Sequence, residues 1–92
     1  MQQVNAFGVG FDSLPEGLRH SNVLTGNELA QIAALVALPT REEVLELAHD
    51  SQVAAVLATP DRHDALHRMA REALNRQDVE LAAKLGMLSE VL

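Results

Sequence analysis

The stretch 25–50, TGNELAQIAALVALPTREEVLELAHD, decides the fold because it writes the same helix-start device twice. Thr25 is followed three residues later by Glu28, and Thr40 by Glu43. In such a capping box the hydroxyl accepts from the backbone at the third helical position, and the carboxylate accepts from the cap residue's own amide. Pro39 stands between the two devices and stops the first helix near Leu38, because the residue before a proline avoids the helical region. Asp50 or Ser51 can cap a third helix beyond this stretch, over QVAAVLA. Thr59 is the expected cap of a fourth, with Pro60 at its first position. Gln77 or Asp78 opens a fifth that ends near Gly86.

These signals predict an all-α protein, a compact bundle of four to five short helices at about 26–38, 41–49, 51–58, 60–75 and 78–86. No segment reads as a paired strand. Residues 1–24 lack sustained periodicity and are broken by Gly8, Gly10, Pro15 and Gly17. They are expected to form an extended arm leading into a short turn or helix. Phe7 and Phe11, the only aromatic residues, alternate with Val9 and the two glycines, so an extended arm presents them on one side. Such an arm can cover the chain's own core or reach a partner.

A chain of 92 residues makes one domain with a thin stability margin. It has no cysteine, which excludes disulfides, thiolate metal sites and a cysteine nucleophile. The net charge is −6, and an acidic surface repels phosphate backbones, so no nucleic-acid partner is expected. The segment SQVAAVLA, a possible recognition helix, carries no Arg or Lys. A nucleic-acid-linked regulator using the more basic C-terminal third remains as an alternative. The start MQQVNAFGVG lacks a basic region and a long apolar run, so a cytoplasmic protein with no membrane partner is the expectation.

Two helices look too apolar for their size. In LAQIAALVAL, residues 29–38, a helical wheel groups Leu29, Ile32, Ala33 and Val36, yet Leu35 and Leu38 fall on the far side. In the last helix Val79, Ala82 and Ala83 form one stripe, and Leu81, Leu85 and Leu88 a second. A helix apolar all round needs cover all round, from a central position or from another chain. The candidate interaction residues are therefore Phe7, Phe11, Leu35, Leu38, Leu81, Leu85 and Leu88. Glu42, Glu46 and Asp50 form an acidic ridge at helical spacing, and His63, His67 and Arg71 a second ridge. The two ridges either face each other, for instance through Glu46 and Arg71, or act as a charged rim.

His63 and His67, four apart on one helix, could share a metal ion if His49, Asp50 or Glu46 supplied a third ligand. The plainer reading makes them boundary residues beside the apolar face of Leu66, Met69, Ala70, Ala73 and Leu74. Ser13, Ser21, Ser51 and Ser89 have no partnered context visible in sequence, so neither catalytic residues nor a cofactor or small-molecule substrate are assigned. The expected function is a small acidic protein–protein interaction module: an adaptor, a chaperone-like or regulatory protein, or an accessory subunit. It is expected to bind a protein partner or a second copy of itself, with a dimer favoured. A metal-binding regulatory domain through His63 and His67 is the alternative.

Overall fold

The computed structural model describes residues 11–92, and of Phe11 its backbone alone. Phe7 and the interaction expected of the aromatic arm lie outside the described residues. Among those residues there are six α-helices, two 3-10 turns and no strand. The all-α expectation therefore stands, with one helix more than expected. A 3-10 turn at Phe11–Ser13 precedes α1 (Glu16–Arg19), α2 (Gly26–Ala33) and α3 (Arg41–Glu46). A second turn, Leu47–His49, leads to α4 (Ser51–Leu57), α5 (Arg62–Asn75) and α6 (Val79–Val91).

The helix starts obey local chemistry. Thr25 and Glu28 exchange backbone-to-side-chain bonds of 3.2 and 2.8 Å, and Thr40 and Glu43 do the same at 3.2 and 2.8 Å. Asp50 caps α4 by accepting from the Gln52 and Val53 amides at 2.9 and 3.2 Å. Thr59 does not cap α5. Its hydroxyl turns back to the Val56 carbonyl at 2.6 Å, and α5 begins at Arg62, two residues later than expected. Asp61, just before α5, bonds Arg68 instead at 3.0 Å.

α6 is the central element. It packs most extensively on α5 and also touches α1, α2, α3 and the second 3-10 turn. Ala82, Ala83, Leu85, Gly86, Leu88 and Ser89 are all buried, an arc of about 220° at 100° per residue. The expected end at Gly86 is therefore wrong, and α6 runs on to Val91. Gly86 serves a different purpose: a Cβ there would lie 2.9 Å from Leu18 Cδ1, so the glycine lets α1 seat its leucine directly on the α6 backbone.

α2 fails in the opposite direction. It stops at Ala33, five residues short of Leu38, and residues 34–37 form a turn. The Ala34 amide shares the Ala30 and Gln31 carbonyls at 3.0 and 3.3 Å, which tightens the last turn. A proline ring clashes with the carbonyl four residues back, so Pro39 disfavours helix as far upstream as Leu35. Unwinding also rearranges the side chains. Leu35 and Leu38, which a continued helix would aim away from the core, lie half-buried against it, while Val36 is 83% exposed.

The α5–α6 hairpin closes on a Schellman motif. Gln77 takes a left-handed φ of 63°, its amide bonds the Leu74 carbonyl at 2.9 Å, and the Asp78 amide bonds Ala73 at 2.8 Å. No helix among the described residues is long and apolar enough to cross a membrane.

Candidate functional site

The most densely hydrogen-bonded polar cluster sits where α5, α6 and the segment after α1 meet. His67 on α5 is 4% exposed. A wheel places it beside Leu74 and Ala70 on the core-facing side, which explains its burial. Its Nδ1 lies 2.7 Å from Ser21 Oγ, and its Nε2 lies 2.9 Å from Ser89 Oγ on α6.

The direction of each bond follows from counting lone pairs. Ser21 Oγ accepts from the Val23 and Leu24 amides, both at 3.0 Å, which uses its two lone pairs. Its own proton must then go to His67 Nδ1, leaving the imidazole proton on Nε2. Nε2–H donates to Ser89 Oγ, whose hydroxyl donates to the Gly86 carbonyl at 2.6 Å. His67 is thus held neutral, as one tautomer, between two helices and a loop. Burial pushes its pKa below the ordinary 6.5; the charges of Glu90 and Asp64 oppose that shift, and His63 adds to it.

One turn further along α5, Arg71 holds the same segment. Its Nε bonds Glu28 Oε2 at 2.9 Å, its Nη2 bonds Oε1 at 3.1 Å, and Nη2 also donates to the Val23 carbonyl. Burial raises the Glu28 pKa, but bonds from Arg71 and the Thr25 amide outweigh it and leave the carboxyl below its ordinary value. Glu28 therefore completes both a helix cap and an ion pair. The charged ridges do not face each other through Glu46 and Arg71. Arg71 is spent on Glu28, Glu42 and Glu46 are exposed on α3, and Asp50 is the exposed cap of α4.

Beside His67 lies a polar cavity of about 430 Å³ with His20, Asn22, His63, Asp64 and Glu90 at its walls. Both ring nitrogens of His67 are committed to serines, so His63 and His67 do not form a chelating pair. Among the described residues no group of three or more His, Cys, Asp or Glu is placed to hold a metal ion. Ser21 has no lone pair left for attack on a substrate, so the serine–histidine pairing ties the fold together rather than arming a nucleophile.

A second recess, a groove of about 330 Å³, opens between the 47–49 turn, α4, α5 and α6. Leu47, Val53, Met69, Leu81 and Leu85 make its apolar floor. Asp50, Gln52, Glu72 and Arg76 make its rim. Among the candidate interaction residues the structure thus separates two kinds. Leu81, Leu35 and Leu38 are half-buried, while Leu85 at 2% and Leu88 at 0% exposure are packed inside a single copy. The stripe expected from Leu81, Leu85 and Leu88 is not an open surface, because the central position of α6 covers most of it.

Sequence reasoning missed Ser21, Ser89 and Glu28 as partners of α5. The available signal was His67 and Ser89 falling on the core-facing arcs of their helices, since two buried polar residues must find hydrogen-bond partners. The chain matches no protein-family model, no curated protein sequence and no solved structure.

Proposed function

We propose that the chain is a protein-interaction module that receives an apolar, basic-flanked segment of a partner protein in the groove between α4 and α6. The observation that carries this reading is the floor of Leu47, Met69 and Leu81, half-buried beneath a rim of two carboxylates, Asp50 and Glu72, against one cation, Arg76. A recess of about 330 Å³ is comparable with the smaller ligand pockets, roughly 300 Å³ upward. Apolar anchors would supply affinity, and basic flanks would complement the rim and the net charge of −6. A second copy of this chain is a poorer occupant, because it brings the same acidic charge to the contact.

The test uses a labelled synthetic helix with leucines at i, i+4 spacing and Lys/Arg flanks, beside the same helix with Glu flanks. The basic-flanked probe should bind by fluorescence anisotropy and shift methyl resonances of Leu47, Val53, Met69 and Leu81. Leu81→Asp should abolish binding although it adds a negative charge, which distinguishes groove binding from bulk attraction. Undiminished binding by Leu81→Asp overturns the proposal. So does a concentration-dependent dimer that Leu81→Asp dissolves, which would assign the groove to a second copy.

A further inference from the structure

The segment Leu14–Leu24 is held to the rest of the molecule in three ways. Leu14, Leu18 and Leu24 are buried in the core at 3%, 0% and 5% exposure. Arg71 binds the Val23 carbonyl and Glu28. Ser21 is tied to His67. The first two are indifferent to pH near neutrality, since an arginine stays charged throughout. The third depends on one proton. A charged imidazole would carry hydrogen on both nitrogens. Nε2–H would keep Ser89 as its acceptor, but Nδ1–H would meet a Ser21 oxygen whose two lone pairs already serve the Val23 and Leu24 amides.

We propose that His67 is a proton-operated clasp: protonation at Nδ1 forces Ser21 to release the Val23 or Leu24 amide, and residues 20–24 loosen from α5 and α6. The groups facing this site are His20 beyond α1, His63 and Asp64 on α5, and Glu90 on α6, with Leu92 also lining the cavity. Arg71, one turn away, is occupied by Glu28. Asp64 and Glu90 favour the charged ring, while burial and His63 oppose it, and burial prevails.

The sign of the pH dependence follows from linkage. Folding lowers the His67 pKa, so between the folded value and the ordinary 6.5 the unfolded chain binds more protons than the native one. The contribution is therefore fully present above about pH 6.5 and is lost as pH falls toward the folded value.

The experiment is NMR on the full chain. At pH 7.5 the His67 nitrogen shifts should show a bare Nδ1 and a protonated Nε2. Titration runs from pH 7.5 downward until the His67 nitrogen shifts have turned over, because burial holds its pKa below the ordinary 6.5. Exchange at the Val23 and Leu24 amides, corrected for intrinsic rates, should rise at least about tenfold in step with His67. The Val44 amide, bonded to the Thr40 carbonyl in α3, should stay constant. Ser21→Ala removes the hydroxyl that donates to Nδ1 and should raise the His67 pKa. Ser89→Ala removes the acceptor of Nε2–H and should lower it. A purely structural serine would not give this asymmetry. A protonated Nδ1 at pH 7.5, His67 titrating without a change at Val23 and Leu24, or both variants shifting the pKa the same way overturns the proposal. Should either variant fail to fold, the wild-type titration decides alone.

Discussion

Residues 34–38 and α6 pose the same problem and solve it in opposite ways. Both are apolar around most of a helical wheel, and a small domain has room for one central helix. α6 takes that place because its faces carry small residues. Ala82, Ala83, Gly86 and Ser89 are buried and let neighbours approach closely from several directions. The 34–38 stretch has a proline at its end and leucines on the wrong side. It abandons helix, lays Leu35 and Leu38 on the core and leaves Val36 in solvent. An all-round apolar helix is thus a statement about competition for the centre, and the backbone decides which contender stays helical.

Four substitutions, each read by chemical denaturation, test which stretch holds the centre. Leu88→Ala, in the fully buried arc of α6, should cost about 3 kcal/mol, within the range for leucine truncation in a packed core. A cost under about 1 kcal/mol would show that α6 is not central. Gly86→Ala comes next. Alanine is the better helix former, but its methyl would press on the fully buried Leu18, and a net loss of about 1–2 kcal/mol is expected. A gain in stability would mean that α1 does not seat on α6.

Gln77→Gly acts at the hairpin that brings α5 onto α6. Relief of the left-handed strain at φ 63°, offset by the greater freedom of the unfolded chain, should stabilise by about 0.5–1 kcal/mol. Destabilisation would refute the left-handed cap. The smallest effect belongs to Val36→Asp, which should fall within about 0.5 kcal/mol of wild type because the side chain is 83% exposed. If the helix continued through Val36, that aspartate would enter the core face beside Leu29 and Ile32, and the variant would be severely unstable.

The difference between these regions also marks what the sequence makes legible. Helix starts at Thr25, Thr40 and Asp50 are local chemistry, written within three residues, and each appears with its bonds made. Pro39 was legible as a stop for α2, but how far upstream the chain unwinds, like the continuation of α6 past Gly86, depends on which helix wins the centre. The place of the hairpin turn, between Asn75 and Asp78, was legible, but its left-handed geometry was not, because a glutamine rather than a glycine occupies that position. The polar site was hidden by distance: Ser21 and His67 are 46 positions apart, and Glu28 and Arg71 are 43. His67, expected at the boundary of the apolar face, is instead 4% exposed, because on the wheel of α5 it falls beside Leu74 on the core-facing side.

The seat that Gly86 makes for Leu18 has a consequence for the order of assembly. The α5–α6 hairpin closes through a tight turn, whereas Leu18 must wait for a residue 68 positions later in the chain. Long loop closures are entropically dearer and slow to form. During synthesis Leu18 leaves the ribosome well before Gly86 and cannot take its seat until the hairpin has formed, so Leu18→Ala should accelerate unfolding while leaving the folding rate nearly unchanged. A folding rate reduced in proportion to the lost stability would show the reverse order.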